Sequence, residues 1–261
     1  MRKIAWFLSA ALFFCVLSLL SFTFSETRYS TPLSPGLKVF DGDTIEVSRN
    51  GERARLRYLL IDTPELHHPS RPPEELGEDA LSLNIELLSR GPLRLEYDME
   101  PIDRYGRRLV YLYVESGDGE LFVNEELVRQ GVALPMFIAP NRKHADRILL
   151  AFEEARDAGR GLWKAASGRI FTAAQAWSEA PYLAGSFITL CMTIEKSETA
   201  GRRIRLREGR VAITAYRGPE TEGLLSLREG EKIRVTGKLL LSFSGCELPV
   251  ASDLQVTRLE Y

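Results

Sequence analysis

The stretch VFDGDTIEVSRNGERARLRYLLIDTPE, residues 39–65, alternates apolar and polar side chains on both sides of the turn signal Asn50-Gly51. Period-two alternation is typical of half-buried strands, and Asn-Gly is a favoured connection between two antiparallel strands. A further turn signal, Asp41-Gly42, stands immediately before the first of the two strands. The stretch therefore predicts a β-hairpin that is entered through a tight turn.

Two carboxylates of this stretch are candidates for a metal site. If the two strands pair, Asp43 and Asp62 come to one end of the sheet. Pro64 disfavours a helical conformation for the residue before it, so Thr63 is expected to be extended or in a turn, with its carbonyl presented outward. Two carboxylates, a carbonyl and waters form an oxygen-only site, which suits calcium rather than zinc.

Three further side chains meet the other requirements of phosphodiester hydrolysis. That reaction needs charge neutralisation at phosphorus, a positioned water and donors to the non-bridging oxygens. Arg57 and Arg107 can each offer a phosphate a permanently charged fork of N–H groups. Glu65 can orient or deprotonate the attacking water. The set predicts metal-assisted phosphoryl chemistry.

The residues that follow predict a small barrel of mixed α and β structure. Two more strands fit LRLEY and RLVYLYV, and a helix with Ala80, Leu83 and Leu87 on one face precedes them. We expect Asn124 to cap a short helix, and a longer helix to run over residues 142–158. Five short strands with helices between and after them predict a Greek-key β-barrel of the OB type.

Composition divides the chain further. It becomes rich in Ala, Ser and Gly after Lys164, and then alternates again in short strands, which predicts a second small OB-like barrel. The predicted organisation is a signal peptide or signal anchor at 1–25, a linker at 26–35, the first barrel at 36–165, a linker at 166–183 and the second barrel at 184–261.

The N-terminus has the pattern of an export signal. Arg2 and Lys3 precede an apolar run over residues 4–24, which is long enough to span a bilayer if it is not removed. We expect an exported chain, periplasmic or extracellular, or one anchored to the membrane by residues 4–24. In an oxidising compartment Cys191 and Cys246 can form one disulfide or remain two buried free thiols, and the sequence leaves both open.

The net charge of the 261 residues is −2, with 44% apolar and 27% charged residues. This is an ordinary globular composition that excludes a general basic attraction for nucleic acid. Any polyanion must therefore be held by local groups.

Five motifs in order resemble the thermonuclease (staphylococcal nuclease) family over residues 37–163. They are DGDTIEV, RLRYLLIDTPE, DRYGRRLVYLYV, NEELVRQGVA and a GLW after a helix. The resemblance implies a calcium-dependent nuclease on an OB-type barrel that cuts DNA and RNA endonucleolytically. Such an enzyme needs no organic cofactor, and we expect it to be a monomer. The alternative is a nuclease-derived module that binds nucleic acid or protein without cutting.

The resemblance also implies roles for individual residues. The calcium ligands of the family match Asp43, Asp62 and the Thr63 carbonyl, its phosphate-binding arginines match Arg57 and Arg107, and its catalytic glutamate matches Glu65. Asp41 becomes an outer-shell candidate at the metal. Arg104 and Tyr105 match positions that touch substrate, and Phe137 stands where the family has one of two stacking tyrosines.

Other residues invite weaker interpretations. Adjacent histidines on an extended chain point to opposite faces, so His67 and His68 are assigned structural or solvated roles rather than one metal. His144 is expected on the solvated face of its helix. The second barrel offers Phe187, Tyr216, Phe243 and the arginines of 202–210 for nucleic acid, and a structural or protein-binding role is the alternative.

Overall fold

The structure, a computed structural model, describes residues 27–29, 36–49, 52–68, 72–117, 119–243 and 245–259. The predicted leader at 4–24 and the Asn50-Gly51 turn lie outside these residues. Among the described residues, no helix combines the length and apolar character that crossing a membrane requires.

Within the described residues, the first barrel uses nine short strands. These are β1 Thr27–Tyr29, β2 Lys38–Val39, β3 Thr44–Arg49, β4 Glu52–Tyr58, β5 Ile61–Asp62, β6 Leu93–Glu96, β7 Arg108–Ser116, β8 Gly119–Phe122 and β9 Leu134–Pro135. The main sheet runs β1-β6-β7-β4-β3-β2, and its one parallel pair is β4 with β7. A second, two-stranded sheet pairs β5 with β9, and β8 pairs with β7. These short strands, together with the helices described below, form the predicted mixed α and β fold of the OB type.

The predicted hairpin is confirmed as β3 and β4, with Thr44 opposite Arg57 and Ile45 opposite Leu56. Ile45, Val47 and Leu56 point inward and are buried. Burial of a side chain of this size contributes about 1.5–3 kcal/mol, which fixes the register because a slip by one residue would turn the apolar set outward.

Four helices of the described part of the chain accompany this barrel. They are α1 Gly77–Leu88, α2 Val123–Arg129, α3 Ala145–Asp157 and α4 Leu162–Ala166. The helix predicted around Ala80 is confirmed as α1, and the one predicted over 142–158 begins three residues later, at Ala145. Trp163 packs on Phe152, with ring centroids 5.2 Å apart, and thereby joins α4 to the core.

Two predictions about polar side chains in this region are wrong. Asn124 does not cap α2, whose N-cap is Phe122, but is fully buried and bonds to the barrel. His144 is not solvated: its Nε2 lies 3.1 Å from both Tyr113 Oη and Glu96 Oε1, and its ring stacks edgewise on Tyr111.

Asn124 connects α2 to three backbone groups of the barrel. Its Nδ2 donates to the carbonyls of Leu59 and Val110 at 2.9 and 3.3 Å, and its Oδ1 accepts from the N–H of Leu112 at 3.0 Å. These groups have no water to replace the side chain, because Asn124 is fully buried. Asn124 thus links α2 to the sheet through hydrogen bonds.

Asn124→Ala is expected to destabilise the fold by roughly 3 kcal/mol, because it leaves buried backbone groups unpaired. For a chain of this size that corresponds to a fall in Tm of about 6–12 °C. Thermal unfolding followed by circular dichroism measures it, with Gln130→Ala, at the half-buried C-terminus of the same helix, as the control. Equal Tm values for the two variants would contradict this role of Asn124.

The second barrel has its own core and two sheets. Its strands are β10 Ile170–Thr172, β11 Phe187–Thr193, β12 Lys196–Ala200, β13 Arg203–Glu208, β14 Val211–Tyr216, β15 Lys232–Lys238, β16 Leu240–Ser242, β17 Gly245–Pro249 and β18 Val256–Arg258. The sheets run β10-β11-β15-β18 and β12-β13-β14-β17-β16, and β14 pairs with β17 in parallel, as β4 does with β7. Residues 166–183, treated above as a linker, contain β10 and two short helices, α5 Ala173–Ser178 and α6 Ala180–Leu183.

The two barrels are packed against each other. Glu75, ahead of α1, accepts from Arg169 at 2.6 Å and from the N–H of Phe187 at 2.8 Å. Glu74 pairs with Lys238 of the second barrel. Phe187 lies in the core of the first barrel and is 1% exposed, so it is excluded as a stacking surface. Cys191 and Cys246 are free thiols.

Candidate active site

A pocket of about 600 Å³ opens where the ends of β3, β4 and β5 meet the loop before β7. All the predicted site residues except Phe137 line it. The full lining is Asp41, Asp43, Thr44, Arg57, Tyr58, Leu60, Asp62, Thr63, Glu65, Glu100, Asp103, Arg104, Tyr105, Arg107, Leu109, Met136, Ile138 and Asn141.

The turn at Asp41-Gly42 places the first carboxylates. Asp41 Oδ1 accepts from the N–H of Asp43 at 3.0 Å, and the N–H of Phe40 donates to the Thr44 carbonyl at 3.0 Å, which closes the turn between β2 and β3. A Cβ on Gly42 would lie 2.6 Å from side chains of Ala80 and Thr63, so only glycine fits here. The turn packs directly against α1 and the 62–65 segment.

Arg57 draws Asp43 and Asp62 together. Its guanidinium is buried; Nη1 lies 3.1 Å from Asp43 Oδ2 and Nη2 donates to Asp62 Oδ1 at 2.8 Å. Nη1 also donates to the carbonyls of Tyr58 and Ile61, both at 2.8 Å. Because the buried guanidinium of Arg57 contacts both Asp43 and Asp62, it sets the relative position of the two carboxylates before any ligand binds.

The site has more carboxylate charge than Arg57 alone compensates. Burial, and then the neighbouring charge of Asp43, raise the pKa of Asp41 to about 6. A raised pKa means that the anionic form is disfavoured in the protein, and a nearby cation would relieve that cost. This local excess of negative charge is what a cation site requires.

The donor atoms fit a hard cation. Asp43 also accepts from the N–H of Thr63 at 2.8 Å, which sets Thr63 beside the carboxylates. Within the described residues, the Thr63 carbonyl and the second oxygen of Asp62 accept no hydrogen bond. In the same part of the chain no cluster of three or more His, Cys, Asp or Glu side chains could enclose a metal. Calcium would therefore have to complete its shell with the carbonyl and waters.

Glu65 follows β5 and Pro64 at the rim of the pocket. Its Oε1 accepts from the N–H of His67 at 2.9 Å, and its own N–H donates to Glu74 Oε2 at 2.9 Å. The side chain is exposed, so water reaches it freely. A carboxylate held by one oxygen, with the other open to water, can accept a proton.

Asp103 fixes the loop that carries Arg107. Its Oδ1 accepts from the N–H groups of Tyr105 and Arg107, both at 2.9 Å, and its Oδ2 accepts from Arg107 Nε at 2.7 Å. Gly106 takes a positive φ of 79°, which closes the turn. No described residue accepts from Nη1 or Nη2 of Arg107, so its outer N–H groups remain for a ligand.

Asp103 was missed by the sequence analysis, although a signal was present. An Asp that opens a turn of the type Asp-x-Tyr-Gly commonly bonds to backbone N–H groups two residues on. What the sequence cannot give is the additional bond to the arginine side chain, because that depends on the rotamer of Arg107.

The remaining predicted residues divide between two places. Arg104 Nη2 donates to Tyr105 Oη at 2.6 Å, and both stand at the mouth of the pocket, where Tyr105 is 69% exposed. Phe137 instead lines a neighbouring cavity, with the guanidinium of Arg142 5.2 Å from its ring centroid.

Comparison with known proteins finds relatives that are similar to about half of this chain. A family model described as staphylococcal nuclease homologue matches residues 55–165. The thermonuclease of Staphylococcus hyicus is 36% identical over 127 residues, which are 49% of this chain and 73% of that protein. Endonuclease YncB of Bacillus subtilis (strain 168) is 41% identical over 150 residues, 53% of this chain and 69% of that protein.

A third relative, the SPbeta prophage-derived endonuclease YokF of Bacillus subtilis (strain 168), is 41% identical over 128 residues, 48% of this chain and 42% of that protein. The range matched by the family model begins after Asp43 and includes Arg57, Asp62, Glu65 and Arg107. The similarity thus covers most of the pocket and ends near the close of the first barrel.

Proposed function

Since this chain belongs to the staphylococcal nuclease (thermonuclease) family, whose members include named endonucleases, we propose that it is a calcium-dependent endonuclease of DNA, RNA or both. That it is a nuclease, an enzyme that hydrolyses the phosphodiester bonds of nucleic acid, follows from the relatives. The finer proposal rests above all on one observation: Arg57 holds Asp43 and Asp62 in the same pocket as Glu65 and Arg107.

In this proposal, Glu65 orients a water molecule in line with phosphorus and accepts its proton as the new O–P bond forms and the P–O ester bond opposite the water breaks. The leaving ester oxygen takes a proton from solvent water. The backbone bond from His67 keeps one carboxylate oxygen in place, so the other can point to the water. General-base assistance of this kind contributes about 10²- to 10⁴-fold to the rate.

The two arginines bind the non-bridging oxygens, on which negative charge develops. Of the five N–H groups of Arg57, three donate to Tyr58, Ile61 and Asp62, which leaves two for phosphate, on Nε and Nη2. Arg107 is held through Nε by Asp103 and offers its outer N–H groups. Pre-oriented donors of this kind stabilise the transition state more than the ground state.

Asp43, Asp62 and the Thr63 carbonyl would hold the calcium ion, with Asp41 behind them. When bound, calcium supplies positive charge next to the phosphate and binds its oxygen as a Lewis acid. The chain's own contribution is to fix the two carboxylates through Arg57 and to present the carbonyl through the bond from Thr63 N–H to Asp43.

We also propose that the enzyme acts outside the cytoplasm, as a monomer, either secreted or tethered to the membrane. The location outside the cytoplasm rests on the sequence of residues 1–25 alone, where a positive pair precedes the apolar run. Free extracellular or periplasmic nucleic acid would then be the substrate.

A circular single-stranded DNA tests the proposed activity, because a circle has no end for an exonuclease to attack. With calcium, the purified chain is expected to convert the circle to linear fragments, and with chelator the circle should stay closed. An intact circle in calcium would contradict the endonuclease; if the circle is nonetheless bound, the binding-module alternative gains support.

A further inference from the structure

A second cavity, of about 300 Å³, lies between the two barrels beside the catalytic pocket. The two spaces share Asp62, Met136 and Ile138 as lining residues, so they lie side by side. The wall that the second barrel contributes includes Arg202, Tyr216 and Arg217. A ligand that leaves the catalytic pocket along Met136 and Ile138 therefore meets the second barrel.

Within the part of the chain that the structure describes, two arginines of this cavity remain without a carboxylate partner after its ion pairs are counted, so its net charge is positive. Arg142 is paired with Glu220, and Asp62 with Arg57. Among the described residues, no carboxylate lies within ion-pair distance of Arg202 or Arg217, and both are exposed. The two arginines are neighbours across the sheet, because Arg217 N–H donates to the Arg202 carbonyl at 2.6 Å. A polyanion is the complementary ligand.

Tyr216 adds an aromatic surface to this wall. It ends β14 and is 74% exposed, although the five residues before it in that strand are all buried. Exposed aromatic side chains beside basic groups are the usual means by which proteins bind unpaired bases, since every base has a face that can stack.

Ion pairs and hydrogen bonds between the barrels hold this wall beside the catalytic pocket. Arg142 of the first barrel bonds to Glu220, which is buried and only three residues from Arg217. On the opposite side of the interface, Glu75 accepts from Arg169 and from the N–H of Phe187. The second barrel is thus positioned to extend the substrate path.

We propose that this cavity binds the single-stranded continuation of the nucleic-acid substrate, with bases on Tyr216 and phosphates on Arg202 and Arg217. The inference rests on the proposed nuclease function and assigns to the second barrel a role in substrate binding. Stacking on Tyr216 requires an unpaired base, so the occupant is a single strand or a locally melted one.

The test compares a dinucleotide, which fills only the catalytic pocket, with a single-stranded DNA of about twenty nucleotides, longer than the 4–16 that one OB barrel covers. The Arg202→Gln/Arg217→Gln double variant is expected to raise the KM for the long strand about tenfold, with kcat nearly unchanged, and to leave the dinucleotide KM within about twofold. Tyr216→Ala should raise the long-strand KM about tenfold, and Tyr216→Phe should restore it.

Matched controls come from the same barrel. Arg234→Gln/Arg258→Gln removes two exposed arginines of β15 and β18, and Phe243→Ala removes an exposed aromatic side chain; none of them lines either cavity. If the site variants acted only through the overall charge or stability of the barrel, the control variants would raise the KM for the long strand by the same factor. Equal KM values for the site and control variants would overturn the proposal.

Binding in chelator separates this inference from the proposed function, because it needs no cleavage. Fluorescence anisotropy of the labelled long strand gives the slope of the logarithm of the binding constant against the logarithm of the salt concentration. Each phosphate contact on a single strand contributes about 0.7 to this slope, so loss of the two arginines should reduce its magnitude by about 1.4. If the wild type binds with this difference but does not cut, the proposed function fails and the subsite stands. If it cuts but the slopes agree, or if it binds no long strand, the subsite is wrong.

Discussion

Replacing Glu65 with glutamine is expected to lower kcat by about 10²- to 10⁴-fold in saturating calcium, because the amide cannot accept a proton from water. The KM for nucleic acid should change little, since in the proposed mechanism Glu65 contacts the attacking water and not the strand. The fold should be unaffected, because the side chain is exposed and the bond that it accepts from the N–H of His67 can be kept by the amide oxygen. Initial rates on single-stranded DNA measure the effect.

Glu78→Gln is the matched control for that experiment. Glu78 is an exposed glutamate in the first turn of α1, thirteen residues further along the chain, and does not line the pocket. It should cut at the wild-type rate. If the two variants were equally active, Glu65 would not be the base, and a water would have to be activated by another group of the pocket.

Asp43→Asn is expected to raise the calcium concentration needed for half-maximal rate by at least about 100-fold, since even outer-shell partners of metal ligands contribute 10- to 100-fold to metal affinity. Asparagine keeps the shape and one carbonyl oxygen, so the bond from the N–H of Thr63 can persist. Alanine would leave that N–H unpaired and remove one of the two carboxylates that Arg57 contacts. A loss of activity in the alanine variant could then come from unfolding as well as from weaker calcium binding. Rates in calcium buffers measure the shift.

The control for Asp43→Asn is Asp79→Asn, an exposed residue of α1 outside the pocket. Its calcium curve should overlay that of the wild type. If the calcium curve of Asp43→Asn also matched that of the wild type, Asp43 would not be a calcium ligand.

Much of the pocket was predictable because it depends on local sequence. Alternation fixes the register of the β3–β4 hairpin, and register alone brings Thr44 opposite Arg57 and so sets Asp43 beside it. The Thr63-Pro64 bond limits the conformation after β5. The predicted OB-type barrel follows from the same short strands, and the order β1-β6-β7-β4-β3-β2 confirms it.

What the sequence did not predict depends on contacts between distant parts of the chain. Asn124 has the residue type and position of a helix cap, but its amide is drawn into the barrel by Leu59, Val110 and Leu112. His144 stands before a helix, where solvent is the usual environment, yet it packs into a cluster with Tyr111 and Glu96. No local pattern distinguishes these alternatives.

The second barrel shows the same limit for aromatic residues. Phe187 and Tyr216 are both at strand ends in the sequence, but Phe187 is taken up by the core of the first barrel and Tyr216 is left at the mouth of the cavity between the barrels. Their difference arises from how the two barrels pack, which depends on pairs such as Glu75 with Arg169 and Arg142 with Glu220.

Calcium-dependent cleavage is tested most directly by the rate at which the wild-type chain cuts single-stranded DNA as free calcium is raised from chelated to saturating concentrations. We expect no cleavage in chelator and a saturable rise with calcium, because in the proposed mechanism Asp43, Asp62 and the Thr63 carbonyl hold a calcium ion when phosphate is bound productively. A cleavage rate that is the same in chelator and in calcium would contradict it.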